Sequence, residues 1–178
     1  MNYRLQLKNP ASIGYIETIV QLLISNPDDF EDFFSLIFDE DTDIAWRAGW
    51  VCDKVSRKYP QLFTTEHILR IADALLLLNH HGIRRGYLCL LNNLGLPDEV
   101  PVELINKLFD WMIFPKIDVS AQVLSMKLLY KICMKQPDFT QELKVYLENT
   151  SPTDYTPGYN ATRRKIIKLL NSYTHTNI

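Results

Sequence analysis

Leu36-Ile37-Phe38-Asp39-Glu40-Asp41-Thr42-Asp43-Ile44-Ala45-Trp46-Arg47-Ala48-Gly49-Trp50 is the stretch that decides how the chain is read. Phe30, Phe33, Phe34 and Ile37 lead into it at helical spacing, and Asp39 to Asp43 is a tight acidic turn. Beyond the turn a second helix runs to Tyr59-Pro60, with Asp43 the expected N-cap. On it Ala48, Val51, Cys52 and Val55 form an apolar stripe, while Arg47, Trp50, Lys54, Arg57 and Lys58 fall on the opposite side. A helix pair of this size cannot bury its apolar stripes alone, so neighbouring pairs must complete the core.

The same alternation of helix and short turn continues in both directions. A capping helix is expected over residues 11–25, stopped by Asn26-Pro27, and helix pairs over about 28–59, 64–94, 101–135 and 138–173. Within these, Thr65 is expected to cap a helix, Gly95-Leu96-Pro97 to end one, and Ala161 to open the last. Pro152 and Pro157 suggest an ordered loop between residues 150 and 159. An internal repeat supports the pairing: Trp46 to Cys52 overlays Ile83 to Cys89 at an offset of 37, with Arg, Gly and Cys identical. Asp118 to Gln122 overlays Gly158 to Thr162 at an offset of 40. The expectation is an all-α chain with residues 1–178 in a single domain and Cys52 and Cys89 at the same core phase.

An Asp closing a first helix, then an Arg followed by small residues opening a second, gives Leu36 to Trp50 the look of a HEAT repeat. Arg84-Arg85-Gly86 resembles it again. The resemblance implies a right-handed α-α superhelix, a HEAT-like solenoid of four helix pairs plus the N-terminal cap, whose second helices line a concave side. It implies binding more often than catalysis, and names no ligand.

Composition narrows the function classes. With 178 residues, 47% hydrophobic and 22% charged, the chain is neither a disordered tail nor a membrane protein. No signal peptide is expected, and three widely spaced cysteines, Cys52, Cys89 and Cys133, read as reduced thiols of a cytoplasmic protein. Neither a phosphate-binding glycine loop nor a metal-ligand spacing appears, so no cofactor and no metal are expected. His80-His81 reads as a polar turn. Leu124-Ser125-Met126-Lys127 echoes the flexible loop of the fumarase and adenylosuccinate lyase superfamily but lacks its Pro and Asn, which argues against lyase chemistry.

The net charge of −2 is segregated. Residues 43–59, 80–94, 118–135 and 160–173, the second helices, hold thirteen bases against three acids, and the rest of the chain six against eighteen. A concave basic face is therefore expected, with Arg47, Trp50, Lys54, Arg84, Arg85, Lys127, Lys131, Arg163, Arg164 and Lys168 as its candidate partner-binding residues. The expected ligand is a protein with an acidic or extended segment. Nucleic acid is the alternative, because the HEAT-like DNA alkylation repair glycosylases use Trp and Asp in a basic groove. The resemblance to them rests on Trp50, Asp53, Asp110 and Trp111.

Overall fold

The computed structural model describes residues 2–9 and 12–176, with side chains as far as residue 172. Among these residues every regular element is helical, as the periodicity predicts. The chain divides into two compact units, Met1–Pro97 and Asp98–Ile178.

The first unit contains α1 (Tyr3–Leu7), α2 (Ile13–Ser25), α3 (Phe30–Ser35), α4 (Thr42–Lys58), α5 (Thr65–Leu77) and α6 (His81–Leu94). Helix α1 is an addition to the expected set. The expected start of the capping helix, Ala11, lies outside the described residues. Helix α4 is central: it packs on α2, on α6 and on the short turn Leu36–Phe38 that prolongs α3. Its N-cap is Asp41, not Asp43, because the Asp41 side chain accepts from the Asp43 amide. Helix α5 likewise starts one residue earlier than expected, capped by Thr64.

Phe30, Phe33, Phe34 and Ile37 are buried as their spacing predicts. Phe34 sits against Phe30, Phe38, Phe63 and the His67 ring. His67 is buried and closes the first turn of α5: the Thr64 amide donates to its Nδ1. The proton must then lie on Nε2, which donates to Glu31 Oε2 at 2.6 Å. Arg70 adds a 2.7 Å bond to the same carboxylate. His67 and then Arg70 hold the Glu31 carboxyl below its ordinary range. Further ties are Arg4 to Asp39 and Lys54 to Glu17, each 2.7 Å, which fasten α1 and α2 around α4.

The second unit contains α7 (Val102–Ile113), α8 (Val119–Lys135), α9 (Thr140–Asn149) and α10 (Pro157–Thr176). Helix α8 packs on α7 and α10, and α9 on α10. The last helix opens at Pro157 rather than Ala161, with proline at the first helical position, where its missing N–H costs nothing. The loop before it is ordered around a turn at Pro152–Asp154. Asn160 Nδ2 donates to the carbonyls of Pro152 and Tyr155, while the Tyr155 hydroxyl donates to the Ile113 carbonyl.

The repeat register differs from the sequence overlays. The capping residues of α4, α6, α8 and α10 are Asp41, His80, Asp118 and Thr156, spaced 39, 38 and 38 residues apart. That spacing superposes burial position by position: Ile44, Ile83, Ala121 and Tyr159 are all buried three residues after the cap. The overlays at 37 and 40 are each two residues out, and two residues turn a helix face by about 200°. Cys52 and Cys89 are therefore not equivalent. Cys52 is fully buried, while Cys89 is half-buried on the opposite side of its helix.

Candidate functional site

In this register the outward ridge of each second helix is formed by the fifth, ninth and twelfth residues after its cap. Those are Trp46, Trp50 and Asp53 in α4 and Arg85, Cys89 and Asn92 in α6. In α8 and α10 they are Val123, Lys127 and Tyr130, and Ala161, Lys165 and Lys168. The first helix is thus aromatic where the last is basic.

Between α4 and α6 lies a cleft of about 300 Å³ lined by Trp46, Gly49, Trp50, Asp53, Arg57, Gly82, Arg85, Gly86 and Cys89. The two indoles stand 5.9 Å apart and tilted by 34° along one wall, with Trp46 41% exposed. Glycines make the floor. A Cβ on Gly49 would meet nothing within 4 Å, and one on Gly86 would stand 3.9 Å from the Gly49 Cα. One on Gly82 would approach Trp46 Cδ1 to 3.0 Å, so this glycine seats the indole.

Glycine within a helix is less stable than alanine by about 0.5–1 kcal/mol. Packing does not require it at Gly49, where the only effect of the missing methyl is to keep the cleft deep. Gly49→Ala is expected to raise the stability of the first unit by about 0.5–1 kcal/mol, read as a higher urea midpoint with unchanged slope. A fall in midpoint would mean that the position is packed after all.

Charges at the cleft are mostly paired. Arg57 grips Asp53 with Nη2 at 2.9 Å from Oδ2 and 3.0 Å from Oδ1, and Asn93 donates to the same carboxylate. Lys54 and Lys58 both face Glu17. Arg85 is exposed, and among the described residues it makes no hydrogen bond or ion pair.

The ten candidate residues therefore separate. Trp50 and Arg85 meet at the cleft, next to Lys54 in its pair with Glu17. Arg47 is half-buried: its Nη1 donates to the Leu7 carbonyl at 2.7 Å, tying α4 to the end of α1. Arg84 is buried and presents no charge at the surface. Arg163 donates from Nε to the Leu147 carbonyl and from Nη2 to that of Glu148, satisfying the open end of α9. Arg47 and Arg163 are thus spent on backbone carbonyls, and Arg84 is enclosed in the core. Lys127, Arg164 and Lys168 are exposed without an ion pair among the described residues. Lys131 is half-buried, and desolvation, with Lys127 nearby, lowers its pKa. Trp111 is buried in the second unit and contributes nothing to the α4–α6 cleft.

Cysteine chemistry offers a direct check of the site. Burial pushes the Cys52 thiol far up, and raises Cys133 to about 11. Cys89 alone lies on the cleft wall. Treatment of the folded chain with iodoacetamide is expected to modify Cys89 first, with Cys52 and Cys133 reacting only after denaturation; mass mapping showing otherwise would place the cleft elsewhere.

Among the described residues no cluster of His, Cys, Asp and Glu is arranged to hold a metal ion, and no helix is long and apolar enough to cross a membrane. The family model described as HEAT repeat domain matches residues 3–170. No curated protein matches the chain. The match spans nearly the whole sequence, so the chain belongs to the HEAT repeat domain family.

Proposed function

We propose that this HEAT repeat protein is a non-catalytic binding module that holds a protein partner over the α4–α6 cleft of its first unit. The observation that carries this reading is the α4–α6 cleft, where the exposed Trp46 and half-buried Trp50 indoles, a glycine floor and an unpartnered guanidinium lie together. Aromatic residues and arginine supply most of the affinity at protein interfaces. Catalysis is a poorer account, since the carboxylate in the cleft is already engaged by Arg57 and Asn93.

Nucleic acid is the second reading, supported by the exposed Lys127, Arg164, Lys165 and Lys168 of α8 and α10. Cross-linked pull-downs of the intact chain distinguish the two. A protein partner should be retained by the wild type and lost with Trp46→Ala or Arg85→Glu. Retention of the same partner by both variants would sink the proposal. Salt-sensitive retention of single-stranded DNA, reduced by Lys127→Glu and Lys168→Glu, would favour the second reading instead. Release of free base from alkylated DNA would establish an enzyme.

A further inference from the structure

We propose that the α4–α6 cleft takes a single aromatic side chain from an extended acidic segment, with a neighbouring carboxylate seated on Arg85. The inference rests on the binding-module reading and gives the occupant its chemistry.

Charge decides the sign of the occupant. Of the ionic groups on the lining, Asp53 and Arg57 neutralise each other, and Arg85 remains. A lysine or arginine guest would meet that guanidinium and find no open carboxylate. An anion gains a planar two-pronged donor at the mouth of an apolar, partly dehydrated cleft.

Shape decides the rest. The indoles of Trp46 and Trp50 are 5.9 Å apart, whereas a ring sandwiched between two others needs about 7 Å, twice the contact distance of ~3.5 Å. The pair therefore acts as one continuous wall, and a flat guest lies along it. Gly49, between the two indoles on the same helix, leaves depth for its edge, since a Cβ there would meet nothing within 4 Å. A volume of about 300 Å³ admits one aromatic side chain with part of its backbone, and not a folded element. Phosphate backbones bind through several cations at once, and the first unit offers the opposite balance. Residues 1–97 carry nine Lys and Arg against twelve Asp and Glu, and the bases beside the cleft other than Arg85 are already paired.

The intact chain has three tryptophans, so its indole N–H region in a ¹⁵N spectrum should show three signals, each assignable by Trp→Phe substitution. Titration with the peptide acetyl-Asp-Tyr-Asp-amide should move the Trp46 and Trp50 signals saturably at millimolar concentration and leave that of buried Trp111 in place. Arg85→Glu, a surface change that spares the fold, should weaken the response about tenfold, the loss of roughly one charge-assisted bond. Gly49→Ala should weaken it too while leaving the protein folded. Absence of a response, or an equal response to acetyl-Lys-Tyr-Lys-amide, overturns the proposal. So does a tighter response to hexathymidylate, which would transfer the cleft to nucleic acid. A protein partner lost with Arg85→Glu in the pull-down, combined with silence toward the acidic peptide, would keep the binding module and discard this occupant.

Discussion

Phe34→Ala is expected to cost the first unit about 3–5 kcal/mol, the usual range for emptying a fully buried phenylalanine site. Phe34 has no solvent exposure, and its ring meets Phe30, Phe38, Phe63 and His67, with the Arg70 guanidinium 5.1 Å from its centroid. Few of these neighbours are free to collapse into the space. His67 is held at both nitrogens, and Arg70 is held by Glu31. The void would therefore persist, which places the loss toward the upper part of the range. Urea denaturation followed through Trp46 and Trp50 fluorescence checks this in the unit concerned. A loss under about 1.5 kcal/mol would mean that α3 and α5 close together after all.

The same cluster gives the unit an acid sensitivity of definite sign. Glu31 is held below its ordinary carboxyl range by His67 first and Arg70 second, so its contribution is complete above that range. It is lost as pH falls through the depressed folded value. Because the Glu31 side chain is 60% exposed, solvent screens the pair and the effect is small. Glu31→Gln should flatten the acid limb of the stability curve without shifting the plateau near neutrality by much; an unchanged acid limb would remove the group from the account.

Helix identity was legible because it depends on local periodicity, which Phe30, Phe33, Phe34 and Ile37 display without reference to any neighbour. Repeat register was not, because it depends on which face meets the adjacent helix. Arg, Gly and Cys recur identically at an offset of 37, yet the helices stack at 39, and the difference exchanges the core and solvent sides. Residue identity misled where capping would have served: an Asp, His, Asp and Thr at 41, 80, 118 and 156 mark the true period. The fate of the basic side chains was only partly legible for a related reason. Arg47, Arg84 and Arg163 count as charges in a composition, whereas the fold spends them on the Leu7 carbonyl, the core and the end of α9. The cleft had a signal that charge counting passes over, namely glycines inside two helices beside Trp46 and Trp50.

The corrected register also explains a series that no pairwise overlay reveals. Four residues after each cap stand Ala45, Arg84, Gln122 and Asn160, all buried. Gln122 donates to the Phe114 carbonyl and Asn160 to those of Pro152 and Tyr155, so in the second unit this position fastens the turn that precedes its own helix. In α4 the residue is alanine, and the preceding turn is secured from outside by Asp39, which accepts from the Asp41 amide and from Arg4. Asn160→Ala is accordingly expected to cost the second unit about 1–3 kcal/mol, since two carbonyls lose the donor that a buried side chain supplies. The damage should be local. Residues 150–156 should become cleavable by protease and lose amide protection, while α7 and α8 keep theirs, because α8 still packs on α7 and Gln122 still holds its own turn. Asn160→Asp tests whether the donor is what matters: it preserves size but replaces the amide N–H with a carboxylate facing two carbonyl oxygens. It should be at least as destabilising as alanine at neutral pH. Equal stability of the Asn160→Asp variant and the wild-type chain would show that the loop is ordered by Tyr155 and its bond to Ile113 instead.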